Sequence, residues 1–457
     1  MTSPASARTL LSVMSTTLAP TERDERIGML DATRGIAVLG ILIMNVTGFG
    51  LPRSYDDPTN WGGADGLSLM VWRIAALFFE GTMRGLFTLL FGAGALLFLQ
   101  RHGQRHSGLL PADLYFRRTM WLIVFGIVNA YLLLWPGDIL YYYGVVGLLL
   151  FVFRNVAPRK LVVVAAVIMI LQTAVTVTEW SGYREASAAA AAAQEARASG
   201  KVLTVDQSQA IENLARTNEE FKPSRDEMEA EVSRVRKSYL SALGLVAGES
   251  WHNETTFFMQ HGLLESLGMM LLGMALLKYG VLTGAASRRV YTTMLLVGYA
   301  LGLAVNLFET TNLTRDDFSV DALITSYLTY DLGRIPMTLG HVGLIGLLYT
   351  MSPASAAMRN LSAVGQMALT NYLTQSVICM FLFTGAGLAL YGHLQRYELY
   401  YVVFAIWIVQ LIWSPLWLRR FRFGPAEWVW RSLTYWKRQP MRSEETSVSQ
   451  SAPQISS

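Results

Sequence analysis

The chain predicts an all-α fold, a polytopic transmembrane helical bundle of about ten spanning helices. Three observations carry this. Hydrophobic residues make up 52% of the 457 and charged residues only 15%. Several apolar runs exceed the roughly 18 residues that a helix needs to cross a bilayer. Lysine and arginine are also segregated by loop, the pattern that orients membrane proteins. A net charge of +4 distributed in this way does not point to nucleic acid.

Residues 1–26 hold only a short apolar patch, Leu10 to Met14, with Arg8 before it. That is too weak for a signal peptide, and the segment is read as a disordered cytoplasmic tail. An N-terminal transmembrane half, 27–180, carries spans expected near 29–50, 82–100, 118–135, 139–153 and 160–180. A further apolar stretch, 67–79, is too short to span beside the second helix and is expected to lie in the interface or re-enter.

Residues 181–255 interrupt the pattern on the outer side. They open with an Ala-rich helical run, Arg184 to Ala198, and later place Val232, Val235, Tyr239, Leu240 and Leu243 at amphipathic spacing. This helical insertion is either a flap without chemistry or a lid over an outward-facing site. The C-terminal half, 256–440, carries spans expected near 259–279, 289–308, 331–351, 363–385 and 398–418. It closes on Phe421 to Lys437, where Trp428, Trp430, Tyr435 and Trp436 alternate with Arg431, Lys437 and Arg438 in the tail. This reads as an amphipathic helix on the inner surface, anchoring the chain or placing Glu427 and Arg431 at a cytoplasmic mouth. Residues 441–457 are polar and read as a disordered tail.

Arg101, Arg105, Arg117, Arg118, Arg154, Arg159, Lys160, Lys278, Arg288 and Arg289 collect on one side, joined by the basic C-terminal residues. The opposite short loops hold little beyond Arg53, Arg315 and Arg396. Both termini are therefore expected in the cytoplasm. Cys379, the single cysteine, sits in an apolar run and suits core packing; no disulfide or thiolate metal cluster is expected.

Charges within such helices are the candidates for chemistry, since an arginine at a helix centre costs about 2.5–3.5 kcal/mol to insert. Asp31 and Arg34 are three apart and can neutralise one another on one face, either at the interface or as a ligand contact. His261 and Glu265, four apart, have the spacing of a general base with its orienting carboxylate, or of a structural pair. Asp331, Arg334 and His341 share a face of the eighth helix. Glu80 and Arg84 form another four-residue pair. Asp138 follows Pro136 and Gly137 in a tight hairpin that turn chemistry alone explains. Asn371 and Gln375 suit helix–helix glue or a polar ligand, and Gly81/Gly85 and Gly298/Gly302 suit close packing. His102, His106, His252 and His393 are expected in solvated loops. No phosphate-binding loop, zinc-protease motif, serine elbow or EF-hand loop occurs in the sequence.

Leu30, Asp31, Arg34, Gly35 and Ala37 resemble the first helix of the transmembrane acyltransferase superfamily, which includes the acyltransferase-3 enzymes and heparan glucosaminide acetyltransferase. Phe87 to Phe98, Gly137 to Leu140, Val364 to Ser376 and Phe421 to Tyr435 resemble one branch closely, the YeiB-like bacterial membrane proteins of unknown function. The resemblance raises the rank of Asp138 and implies an acyltransferase-like bundle. It implies acyl-CoA as co-substrate, with no tightly bound cofactor, and an extracytoplasmic sugar or lipid acceptor.

The chain departs from the pattern at the catalytic histidine. Asn45 stands where acyltransferase-3 proteins carry one, and the following loop, Gly50 to Gly66, has Asp56, Asp57, Asn60 and Trp61 but no histidine. The base would then be His341 or His261, with Glu265. Asp31, Arg34, Arg84, Asp138, Arg334 and Asn371 are the candidates for substrate or cofactor contact, and no metal ligands are nominated. The alternative is a transporter or flippase for an amphipathic small molecule, with the buried charges lining a path. Membrane lipid and a small molecule are the partners expected, and a homo-oligomer is allowed.

Overall fold

The structure, a computed structural model, describes residues 26–442; the two expected tails fall almost wholly outside them. Seventeen α helices and two π-helical segments make up the described chain, with one isolated bridge between Phe421 and Arg442. The first half holds α1 (Gly28–Gly50), α2 (Gly66–Phe78), α3 (Thr82–Arg105), α4 (Leu110–Ile127) running into a π turn (Val128–Leu132), α5 (Leu140–Phe153) and α6 (Pro158–Ala198). The insertion holds α7 (Val205–Phe221), α8 (Arg225–Lys237) and α9 (Tyr239–His252), which runs through a π segment (Asn253–Gly262) into α10 (Leu263–Lys278). The second half follows with α11 (Arg288–Arg315), α12 (Val320–Ser326), α13 (Tyr330–Met351), α14 (Ala356–Gln366), α15 (Ala368–Phe383), α16 (Arg396–Arg420) and α17 (Pro425–Tyr435).

Every stretch expected to span is helical. Six helical stretches are long and apolar enough to cross a membrane: Gly28–Gly50, Gly66–Arg105, Pro158–Ala198, Tyr239–Lys278, Arg288–Arg315 and Arg396–Arg420. Leu140–Phe153 and Ala368–Phe383 are apolar but shorter. The ninth expected stretch breaks at Met367 into α14 and α15. The Ala-rich run continues α6 without interruption instead of starting a new element.

The helices run alternately between two ends of the bundle. One end, here the basic end, gathers the starts of α1, α4 and α6, the close of α3, and α17. The other carries the insertion. Glycines set the closest crossings, because a side chain at these positions would meet opposing backbone. Gly35 and Gly365 bring α1 against α14, Gly92 and Gly273 bring α3 against α10, and Gly298 and Gly302 bring α11 against α13.

The insertion is docked on the bundle. Arg53 donates to Glu231 at 3.2 Å, the Tyr391 hydroxyl donates to the same carboxylate at 2.6 Å, and Gly385 N donates to Val235 O at 2.9 Å. The loop after α1 is its platform: Lys222 pairs with Asp57 at 2.7 Å, and Asn60 donates to Phe221 O. Trp61 Nε1 donates to Gly392 O. The acidic and amide residues of that loop are thus occupied in fastening.

Candidate functional site

Among the described residues the bundle has a cavity toward each end. The basic-end cavity, about 200 Å³, is entered between α1, α3, α4, α14 and α17. Among the described residues, the guanidinium groups of Arg26, Arg34, Arg101, Arg118 and Arg431 line it together with the carboxylates of Asp31 and Glu427. The inner wall is apolar and aromatic, with Phe87, Phe91, Leu122 and Leu140 leading to Tyr143.

Asp31 and Arg34 pair as the spacing predicts, Arg34 Nη1 donating to Asp31 Oδ1 at 3.2 Å, with Arg26 3.9 Å from the other oxygen. Glu427 is buried and caps the start of α15, accepting from Leu369 N at 2.7 Å and Thr370 N at 3.1 Å. Arg118 and Arg431 form no ion pair among the described residues. Arg118 lies over Trp430 at 4.3 Å, and Arg431 over Phe423 at 4.5 Å. Burial, followed by repulsion from Arg26, pushes the Arg431 guanidinium down to about 10. Cations held by aromatic faces, with repulsion left over, make a site prepared for an anion.

The insertion-end cavity is small, about 20 Å³, and lies among α3, α6, α10 and α13. Its polar lining includes Glu265, Tyr330, Asp331 and Arg334. Arg84 Nη2 donates to both oxygens of Glu265, at 2.8 and 3.1 Å. Arg334 donates to Glu309 and sits 3.4 Å from Glu80, its guanidinium lying over the Tyr330 ring at 4.1 Å. Among the described residues the Asp331 side chain forms no hydrogen bond or ion pair, and it stands partly exposed.

This geometry reassigns several expected pairs. Glu80 does not hold Arg84; the two partner Arg334 and Glu265 on other helices, because Gly81 at φ +66 breaks the helix between them. His261 is likewise not paired with Glu265. Its Nδ1 faces the Gln172 amide at 3.3 Å and its Nε2 lies 3.6 Å from the half-exposed Glu179. His341 has both ring nitrogens engaged. Since a carbonyl only accepts, Nε2 donates to Phe78 O at 2.9 Å, leaving Nδ1 to accept from the Tyr299 hydroxyl at 2.8 Å. Neither histidine lines either cavity.

Asp138 is buried and caps α5: Oδ2 accepts from Tyr141 N at 2.9 Å, while Oδ1 accepts from Asn129 at 2.8 Å and the Tyr372 hydroxyl at 3.4 Å. Asn371 donates to Val364 O and Ser414, and Gln375 to Val38 O and Gln410, so both knit helices together. His102 is a correction. It sits within α3, only 4% exposed, and binds Phe98 O and the Tyr435 hydroxyl, because α3 continues to Arg105 and α17 folds back over it.

Spacing does not distinguish Arg118 or Glu309, although Phe98 and Trp430 in the sequence supply the aromatic faces on which Arg118 rests. Arg431 is different: four residues from Glu427, it is expected with it at a cytoplasmic mouth, and both line the basic-end cavity.

Comparison with known proteins bears on the same segments. Residues 276–437 match a family described as "Protein of unknown function (DUF418)", a span running from the end of α10 through α17. The uncharacterized protein YeiB of Escherichia coli (strain K12) is 31% identical over 414 residues, covering 90% of this chain and 96% of that one. The chain belongs to the YeiB-like family. The uncharacterized protein YxaH of Bacillus subtilis (strain 168) is 29% identical over 434 residues, covering 93% of this chain and 98% of YxaH. A 39.9 kDa protein encoded beside an amylase in Bacillus acidopullulyticus is 26% identical over 422 residues, 92% of this chain and 97% of its own. No solved structure matches this YeiB-like chain.

Proposed function

We propose that this YeiB-like protein is an inner-membrane acyltransferase that draws its acyl group from an acyl-CoA on the cytoplasmic side and passes it to an extracytoplasmic sugar or lipid acceptor. In this reading the bundle crosses the membrane ten times, is of the transmembrane acyltransferase type, and keeps both termini with the basic end in the cytoplasm. The observation that carries the proposal is the basic-end cavity. Its cationic mouth suits the phosphates of a coenzyme thioester through charge-assisted hydrogen bonds, and its apolar inner wall suits the acyl arm. Arg118 and Arg431, free of carboxylates, are the phosphate contacts, with Arg34 tied to Asp31 beside them. With His341 engaged on both sides, the carboxylates of the opposite cavity are the better bases for the acceptor's hydroxyl or amine: Asp331, which has no partner, and Glu265, held by Arg84.

Purified protein in proteoliposomes should bind radiolabelled acyl-CoA, with affinity falling about tenfold or more in Arg118→Ala and Arg431→Ala, the loss of a charged hydrogen bond being about 1.5–3 kcal/mol. Label should then appear in an acceptor supplied to the other side. Absence of binding sinks the reading.

The engaged histidines favour one further reading, transport of an anionic amphiphile along the same cavities without chemistry. Under it, the label crosses with the thioester intact. Chromatography of the transferred material separates the two.

A further inference from the structure

We infer that the side chain of Tyr143 is the partition between the two cavities, and that it sets the width of what passes from one to the other. Helix α3 lines both. Gly85 faces the insertion-end cavity, and Phe87 faces the basic-end cavity. At 1.5 Å of rise per residue these two positions lie about 3 Å apart along the axis, on different faces of the helix, so the two cavities flank α3 at one level.

Tyr143, reaching in from α5, stands at that level. Its ring lines the basic-end cavity, stacked beside Phe87 at 6.0 Å and tilted against Phe91 at 5.3 Å. Its hydroxyl lies 2.6 Å from Thr88 Oγ1 and 3.3 Å from the Arg84 carbonyl. The guanidinium of that same Arg84 holds Glu265, a lining residue of the opposite cavity.

A gap with the cross-section of one phenol ring admits an unbranched acyl chain or a short acyl group. It excludes a folded nucleotide head group or a sugar ring. Tyr143 is thus assigned as a specificity-determining residue, one that separates the part of a substrate that crosses from the part that stays at the arginines. The inference goes beyond the proposed function and holds equally for transfer and for transport, since it concerns the passage and not the reaction.

Labelling tests it without any substrate. In a full-length Cys379→Ser background, Asp331→Cys supplies a reporter thiol in the insertion-end cavity. With Tyr143 in place, a membrane-impermeant methanethiosulfonate should modify it only when added on the insertion side of oriented vesicles. In Tyr143→Ala, reagent added on the basic side should label it at least tenfold faster than in the parent, and Tyr143→Trp should keep it protected. Unchanged protection in a folded Tyr143→Ala protein overturns the inference.

Should that variant not fold, Tyr143→Cys alone gives the answer. Modification from both sides supports a one-residue partition, and modification from the basic side only overturns it. A failed acyl-CoA assay leaves these labelling rates untouched, so the two ideas fail separately.

Discussion

Asp31 keeps only 6% of its surface, and its two oxygens face Arg34 at 3.2 Å and Arg26 at 3.9 Å. Removing the nearer cation strands a buried carboxylate, a loss of about 3–5 kcal/mol for a fully buried pair and less here, where Arg34 retains access to the cavity. Arg34→Ala should therefore lower the melting temperature in detergent, and adding Asp31→Asn should recover most of the loss. Strictly additive losses in that cycle would assign Arg34 to a ligand instead. His341 is the contrasting case. It carries two hydrogen bonds, to Tyr299 and to Phe78 O, so His341→Ala should cost about 1–3 kcal/mol of stability by orphaning buried partners. Turnover per folded molecule should stay within a few fold of the parent. A drop of 100-fold or more at intact stability would restore His341 as the base.

At the scale of elements, helix existence was legible and helix partners were not. The ten apolar runs, the short stretch before Thr82 and the amphipathic C-terminal segment are all helices because hydropathy and period act within a run of sequence. The ion pairs were misread where spacing alone was used. Glu80 and Arg84 satisfy the four-residue rule, yet Gly81 breaks the helix and sends each to a partner far along the chain. Asp31 and Arg34 satisfy the three-residue rule within an unbroken helix, and there the rule held. Arg34, Glu427 and Arg431 of the arginine mouth were legible, but their assembly with Arg26, Arg101 and Arg118 was not, because α1, α3, α4 and α17 are distant in sequence. One element-scale consequence is testable through α17. Glu427 supplies the carboxylate that caps α15, so Glu427→Gln should cost about 0.5–2 kcal/mol, the usual worth of a helix cap. Hydrogen exchange should accelerate at Leu369 and Thr370 first; uniform acceleration over the whole chain would contradict a local cap.

For the whole molecule, the proposed topology puts the basic end in the cytoplasm because basic residues are segregated there. With Cys379 replaced, a cysteine at Ser208 in α7 should react with an impermeant thiol reagent in intact spheroplasts, and one at Ser107, between α3 and α4, should not. The reverse pattern would invert the molecule, and with it the side from which an acyl donor is drawn.

Helix α5, at 14 residues, is only about 21 Å long, short of the roughly 30 Å of hydrocarbon in a bilayer. In the proposed ten-span topology the rest of its crossing would be irregular chain from Leu133 to Ile139, which lipid does not tolerate unless protein satisfies it. Its partners come from next door: Asn253 in the π segment donates to Pro136 O, and the Tyr142 hydroxyl donates to Asn253 O. Pulling α4 and α5 away from α9 and α10 would expose those groups to hydrocarbon at several kcal/mol each. In the proposed topology these contacts tie α4 and α5 to α9 and α10, just as the crossing at Gly92 and Gly273 ties α10 to α3.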